Sequence, residues 1–358
     1  MSRPGAAARQ RPALRRVRLA LVGFGAVGRR FAELLLGRYG QVLRAAGLEV
    51  VVTGIATGRH GLAVAPGGLP LRRALSLVRA GRPLGALHRG APLASTHAFV
   101  AAVPADVLVE LSPLDPRTGQ PATDTCAAAL RRGLHVVTAN KGPVAFAARR
   151  LRAAARARGV RFLHEGVVMD GLPIFNLANR CLRGARVLGF RGVLNSTTTR
   201  ILGRMEEGAS FAAALAEAQA AGVAEADPRH DLEGYDAAVK GCALANALLG
   251  AAVRPAEVAR TGIGAIGAAE VARARGAGRR WRLVTRARRA GRRVLVSVAP
   301  EALPLDDLLV SAGADGVLVL ETDLLGEVGL WEGRGGVDQT AYAVLSDLLE
   351  VASPRAVV

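Results

Sequence analysis

Apolar positions along the chain fall into short runs separated by stretches with helical spacing. The first run, Val17–Val22, leads into Gly23-Phe24-Gly25-Ala26-Val27-Gly28 and then a helical pattern at Arg29–Leu36. Further strand-like runs cover Glu49–Ala56, Asp106–Leu111, Leu134–Thr138 and Val160–His164, with helical stretches at Pro121–Arg132 and Pro143–Arg158. Strands and helices alternating at this spacing predict βαβ units, and so an α/β fold on a doubly wound parallel sheet. Beyond Gly166 the pattern changes. Strand-like Val187–Leu194 precedes helical segments at Thr198–Glu207, Phe211–Ala221 and Tyr235–Leu249. Two hairpins are expected, Trp281–Ala287 with Val294–Val298 and Gly316–Leu320 with Glu327–Trp331, followed by a turn at Gly333–Gly336 and a last helical run, Thr340–Val351. Helices mixed with antiparallel strands predict a second, α+β domain.

Composition narrows this picture. The 358 residues are 51% hydrophobic and 4% aromatic, enough for two domains with aliphatic cores. No apolar run reaches the roughly 18–20 residues that span a bilayer, so a soluble chain with no membrane partner is expected. The net charge of +19 raises nucleic acid as a partner, but the arginines are scattered. Their densest run, Arg279 to Arg293, is interspersed with apolar residues like one face of a hairpin, and no specific nucleic-acid site is expected. Three widely spaced cysteines without a CxxC pair, and six histidines without HxH or HExxH, argue against a zinc site or a disulfide framework. A reducing, cytoplasmic setting fits. Residues 1–16 are rich in Arg, Ala and Pro, a bias shared by the whole chain, and are expected to form a disordered arm rather than a transit peptide.

Two of the 48 basic residues, Lys141 and Lys240, are lysine; the rest are arginine. Surface charge and salt bridges accept either type. Proton transfer does not, because arginine stays protonated to about pH 12. Both lysines fall in the segments that look most like chemistry.

The Gly23–Gly28 run is a GxGxxG placed after a strand and opening a helix, which predicts a Rossmann-type dinucleotide site. Gly23 permits the tight turn, Gly25 lets the backbone approach a pyrophosphate, and Gly28 allows helix–strand contact. The second strand ends Ile55-Ala56-Thr57-Gly58-Arg59-His60, without the acid that holds the ribose of NAD. Arg59 is placed for a 2′-phosphate, so NADP(H) is favoured over NAD(H). Asn140-Lys141-Gly142-Pro143 lies where a strand gives way to a helix, the usual place for ligands in open α/β sheets. Five acids, Glu225, Asp227, Asp231, Glu233 and Asp236, gather within twelve residues of a strongly basic chain. They form either a solvated loop or a pocket for a cationic group such as a substrate ammonium. Asp236 and Lys240 lie one helical turn apart, where the carboxylate can orient the ammonium for proton transfer to a carbonyl oxygen.

The run from Ala221 to Asp236, continuing to Lys240, resembles the signature of homoserine dehydrogenases. Supporting matches lie at Gly23–Gly28, Val136–Pro143, Glu165–Pro173, Gly192–Leu202 and Thr261–Ile263. The resemblance implies NAD(P)-dependent interconversion of L-homoserine and L-aspartate 4-semialdehyde, a step toward threonine, methionine and isoleucine, and a homodimer. It implies Lys240 as proton donor, Lys141 as its partner at substrate and cofactor, and Asp236 beside them. Glu225 would hold the substrate amino group, with Asp231, Ser196 and Thr197 also at the substrate. Phe24, Val27, Ser112 and Gly335 would join the glycines at the cofactor. A sodium-type cation would be bound mainly by main-chain carbonyls at Glu165, Val168, Asp170 and Leu172. The sequence departs from the family where glycines are common at Met169 and Asp170, at Val223, in Asn195–Thr199, and at Gly333–Gly336.

The expected organisation is an arm over 1–16, a dinucleotide-binding domain over 17–142, and a catalytic and dimerisation domain over 143–334. A helix over 335–358 would return to the first domain. With the chain ending soon after that helix, no amino-acid-sensing domain is expected. The alternatives are another NADP-dependent amino-acid or semialdehyde dehydrogenase, and a catalytically silent NADP-binding protein.

Overall fold

In the computed structural model, which describes residues 14–313 and 315–352, the strands of the described residues form two six-stranded sheets. The first has the order β3-β2-β1-β4-β5-β6 and contains Arg15–Val22 (β1), Leu48–Ala56 (β2), Leu62–Val64 (β3), Val107–Glu110 (β4), His135–Thr138 (β5) and Phe162–Leu163 (β6). Five strands are parallel, as a doubly wound sheet requires, while β3 runs antiparallel to β2. The reversal follows from a short turn. The Thr57 hydroxyl donates to Gly61 O at 2.9 Å and accepts from His60 N at 2.8 Å, leaving no room for a crossover helix. Strand β6 lies beyond the boundary expected at residue 142, so the first unit extends to residue 163.

Leu19, Ala20 and Leu21 of β1 and Val107, Leu108 and Val109 of β4 are all buried. Alternation disappears there because helices cover both faces. Ala26–Leu36 (α1), Arg38–Ala45 (α2) and Leu71–Arg79 (α3) pack on one face; Thr96–Ala102 (α4), Ala122–Arg131 (α5) and Lys141–Ala157 (α6) pack on the other. Part of the segment expected as an arm is strand. Residues 1–13 lie outside the described residues, and Arg15 and Arg16 already belong to β1, with Arg16 paired to Glu49 at 2.8 Å.

The second sheet has the order β12-β11-β7-β9-β10-β8, from Val187–Val193 (β7), Ala259–Arg260 (β8), Arg279–Ala290 (β9), Arg293–Pro304 (β10), Gly316–Thr322 (β11) and Gly326–Glu332 (β12). Both expected hairpins are present, and β8 alone pairs in parallel. The helices of this half are Ile174–Asn176 (α7), Ser196–Glu206 (α8), Phe211–Ala220 (α9), Arg229–Leu232 (α10), Tyr235–Leu248 (α11), Ala268–Gly276 (α12) and Leu308–Ser311 (α13). The last helix, Val337–Ala352 (α14), returns to the first unit. Ala341, Val344, Leu345 and Leu348 share a core with Phe31 and Leu34 of α1, and Arg30 meets Asp338 at 2.7 Å. Residues 353–358 lie outside the described residues. Among the described residues, no helix is long and apolar enough to cross a membrane.

Helix α11 joins the halves. Its sequence is small and apolar almost all round, with Ala237, Ala238, Ala243 and Ala245 buried. One side packs on α6, and Gly241 rests so closely on the second sheet that a Cβ there would lie 2.7 Å from Thr285 Cγ2. Arg152 of α6 donates to the α11 carbonyls of Asn246 (3.1 Å) and Ala247 (2.9 Å). Buried Asn246 answers by donating to Ala145 O (2.9 Å) and Val253 O (3.0 Å) and accepting from Val253 N (2.9 Å). Asn246→Ala orphans buried partners on two segments and is expected to cost about 2–4 kcal/mol, measured as a lowered urea midpoint with unchanged slope.

Candidate active site

The carboxyl ends of β1 and β4 meet at the crevice where the strand order reverses, the position at which doubly wound sheets bind ligands. Gly23 has φ +94°, and a Cβ on it would collide with the backbone of Leu111 and Ser112. A Cβ on Gly28 would lie 2.7 Å from Gly23 O. These two glycines let strand, helix and the β4 loop close on one another. Gly25 differs, since a Cβ there would meet nothing within 4 Å. It is the N-cap of α1 without a side-chain cap, so free N–H groups of an eleven-residue helix face open space. That suits a pyrophosphate. Phe24 contributes only backbone here, because its ring is buried in the core. Val27 packs on that core. Ser112 directs its N–H and hydroxyl to Glu110. Arg59 lies exposed on the turn after β2, with no ion-pair partner among the described residues.

Lys141 opens α6, whose N-cap Asn140 accepts from Gly142 N at 2.8 Å. Lys240 lies in the middle of α11. Between them is Asp236, 3.3 Å from Lys141 Nζ through Oδ1 and 2.9 Å from Lys240 Nζ through Oδ2. Lys240 also donates to Leu194 O at 2.6 Å. Asn195 Nδ2 donates to Asp236 Oδ2 (3.1 Å) and Asp231 Oδ1 (2.7 Å), while its Oδ1 caps α8 by accepting from Thr198 N. Burial alone would raise the Asp236 pKa, but the charges of Lys240 and Lys141 and the Asn195 bond hold it well below the carboxylate range. Burial likewise disfavours the Lys240 ammonium, and the Asp236 charge and hydrogen bond reverse that, raising its pKa. Lys240 is therefore an ammonium at neutral pH.

Both lysines line a cavity of about 370 Å³ with Ala139, Met169, Asp170, Ser196 and Gly335. Ser196, in the first turn of α8, and Gly335, before α14, therefore line the same cavity as the lysines. Thr197 does not line it; its hydroxyl donates to Val223 O at 3.3 Å. The five acids of the signature divide. Asp231 and Asp236 turn inward to Asn195. Glu225 is exposed on the turn after α9 and outside the cavity lining, Asp227 pairs with Arg229 at 2.5 Å, and Glu233 lies 3.8 Å from Arg260. The inward pair meets Asn195 and, through Asp236, the two lysines, while the other three lie on the exposed loop. Arg200, Asp315 and Glu332 complete the surroundings without having been singled out in the sequence, and Asn195 opens the segment 195–199 noted there. Arg200 pairs with Asp315 at 2.8 Å.

The cation segment is a tight turn in which Leu172 N donates to Met169 O (2.9 Å) and Ile174 N to Leu172 O (2.8 Å), with Val168 buried beside it. The Glu165 carboxylate accepts from Phe175 N (2.8 Å) and Asn176 N (2.9 Å). Its side chain is therefore spent on α7, leaving main-chain oxygens as the donors toward any ion. Burial pushes Glu165 up to about 7, and buried Asp347, which accepts from Glu165 N, is raised as well. Burial pushes the Cys242 thiol up to about 12 and raises Cys126 too, so neither is a nucleophile. Glu110 is the carboxyl that sequence reading passed over. It lies fully buried under the crevice, accepts from Ser112 N (3.0 Å) and Thr138 Oγ1 (3.3 Å), and burial pushes it up to about 7. A lone acid ending the apolar run Val107-Leu108-Val109 was the available signal.

Comparison with known proteins gives the same division. A family model described as homoserine dehydrogenase matches residues 173–349, and one described as homoserine dehydrogenase, NAD binding domain, matches residues 23–165. The NAD(+)-dependent homoserine dehydrogenase of Pseudomonas canavaninivorans is 38% identical over 93% of this chain and 96% of its own. The homoserine dehydrogenase of Methanocaldococcus jannaschii is 36% identical over 93% of this chain and 98% of its own. Among solved structures, a hyperthermophilic archaeal homoserine dehydrogenase in complex with NADPH superposes with TM-score 0.79 at 29% identity, covering 94% of this chain and 98% of that one. The enzyme from Thiobacillus denitrificans gives TM-score 0.79 at 30% identity over 97% of this chain and 76% of that one.

The buried Glu110 generates a prediction for stability. Its pKa is about 7 folded against 4.5 unfolded, so between those values the folded state holds the extra proton. Stability therefore falls as pH rises through that window, by on the order of 3 kcal/mol from this group. Glu110→Gln is expected to flatten the fall between pH 4.5 and 7, seen in urea midpoints across that range. An unchanged slope would show that another group carries it.

Proposed function

The chain belongs to the homoserine dehydrogenase family, oxidoreductases acting on a CH–OH group, and on that premise we propose how its residues divide the interconversion of L-homoserine and L-aspartate 4-semialdehyde. Lys240 moves the proton. The observation that carries this is the geometry of its ammonium, which has three donors. Leu194 O and Asp236 Oδ2 take two of them, and the side chain lines the cavity where the third is available. A nicotinamide cofactor bound along the crevice supplies or accepts the hydride. Lys240 gives its proton to the aldehyde oxygen in reduction and recovers it from the hydroxyl in oxidation. Asp236 fixes the direction of that ammonium and keeps it charged. Lys141, at the end of β5 and on the same carboxylate, faces both cofactor and substrate.

Ser196 and the first turn of α8 are assigned to the substrate carboxylate, and Thr197 ties that turn to the 223 segment. Assigning the amino group to Glu225 requires the turn after α9 to move inward on binding. Gly23, Gly25 and Gly28 hold the pyrophosphate, with Gly335 at the far rim. NADP(H) is favoured over NAD(H), because Arg59 stands unpaired where β2 ends and no carboxylate lies between Ala56 and His60. A monovalent cation in the 165–172 turn would be held by main-chain oxygens. A homodimer formed through the second sheet is part of the same proposal. Leu295 and Trp331, 47% and 63% exposed on that sheet, support it.

Lys240→Arg keeps the charge but cannot release a proton, so kcat for homoserine oxidation is expected to fall about 10²–10³-fold with KM changed only a few-fold. Because Asp236 keeps Lys240 protonated, wild-type oxidation should accelerate with rising pH, and the variant should lose that response. Near-normal kcat in Lys240→Arg would end the assignment. Arg59→Ala is expected to raise KM for NADP⁺ about tenfold and leave NAD⁺ unaffected, measured by initial rates with each cofactor. Equal effects on both would remove the 2′-phosphate role.

A further inference from the structure

Among the described residues, two that are not glycine adopt positive φ, Met169 (+54°) and Asp170 (+46°), and they are consecutive. Side chains rarely accept this left-handed region, and strain that persists points to a role in the surrounding structure. Both residues line the cavity that holds Lys240 and Lys141. Three contacts hold them in place. Met169 Cε packs 3.2 Å from the Cβ position of Gly316 on β11. Gly171 lies so close to α14 that a Cβ there would be 2.6 Å from Gln339 O. Asp170 Oδ1 accepts from Thr340 Oγ1 of α14 at 3.1 Å. The other oxygen, Oδ2, lies against Gly335, where any Cβ would collide with it. The strained loop therefore touches both the second sheet and the start of the returning helix, and it presses one carboxylate onto the turn that carries Gly335 and Gly336.

We propose that Asp170 is a positioning residue for cofactor binding: its carboxylate clasps Thr340 and seats against Gly335, holding the turn before α14 at the rim of the cavity. The inference rests on the assignment of Gly335 to the cofactor. It explains why Gly335 is glycine, since its Cα is the surface on which Oδ2 rests. It also explains why a side chain occupies a left-handed position, because glycine at 170 would relieve the strain and release the clasp. Asparagine tolerates the left-handed region and its amide oxygen can accept from Thr340, so it should preserve the arrangement.

The experiment measures NADPH affinity by fluorescence titration, with thermal midpoints, for the full chain and for Asp170→Gly, Asp170→Asn, Thr340→Val and the Gly–Val double variant. Asp170→Gly keeps the main-chain oxygen, so any cation site in the loop is left intact. Its midpoint is expected to stay or rise by a few degrees while Kd for NADPH weakens about five- to tenfold. Thr340→Val should weaken it similarly, the double variant no more than the weaker single, and Asp170→Asn within twofold of wild type. The proposal is overturned by unchanged affinity in Asp170→Gly, by additive losses in the double variant, or by an asparagine variant as weak as the glycine one. Homoserine-dependent turnover of the wild type, run beside the titration, tests the enzyme reading separately. Tight NADPH binding in every variant would remove the clasp while leaving that turnover in place.

Discussion

The site depends on one carboxylate shared by two ammonium groups. Asp236 receives Lys141 on one oxygen and Lys240 on the other, and the two lysines come from different halves of the molecule. Desolvation works against the charged forms of Asp236 and Lys240, and the contacts between them reverse it. Asp236 and Lys240 hold each other in the ionised state, and Asn195 adds a donor to the carboxylate. The pair can exist only where α6 and α11 meet, so the small residues of α11 and the Arg152 and Asn246 bonds between the helices also bear on the chemistry.

The neighbouring carboxyls show how environment separates roles. Asp236 and Glu110 are both withdrawn from water, yet one is driven below the carboxylate range and the other up to about 7. The difference is the presence of cations. Glu110 has only neutral donors, Ser112 and Thr138. The Thr138 hydroxyl in turn accepts from Asn140 N, and Asn140 caps the helix that begins at Lys141. Glu110 thus organises the support beneath Lys141, while Asp236 keeps Lys240 charged and pairs with both lysines.

Much of this was readable from residue order. The GxGxxG after β1, the strand end before Lys141 and the spacing of Asp236 and Lys240 are local patterns, and the structure places each as the pattern requires. Apart from the strand at Glu49–Ala56, the stretch from residue 37 to 105 was not assigned in advance. Helix α3 carries Arg72, Arg73 and Arg79 beside a narrow buried stripe, and β3 is three residues long, so neither gives a long periodic signal. The division of the five acids was equally hidden. Spacing along a loop does not say which carboxylates face inward, and the deciding partner, Asn195, is 41 residues from Asp236 in sequence. Glu110 was missed because burial, rather than a motif, gives it meaning.

The scarcity of lysine takes on a physical form in these contacts. Arginine serves the other cationic jobs seen here: it caps α11 from Arg152, ties α14 to α1 through Arg30, and bridges β9 to β10 where Arg286 meets Glu301 at 2.7 Å. Each of those positions needs charge and directed donors, which the planar guanidinium provides. At position 240 the requirement differs. Leu194 O and Asp236 hold a compact group from two sides, and the proposed role needs a remaining donor that can lose its proton to a bound oxygen. A guanidinium could satisfy the two holders but would retain the third proton. On the proposed role of Lys240, the chain departs from its own bias where the function is transfer rather than charge.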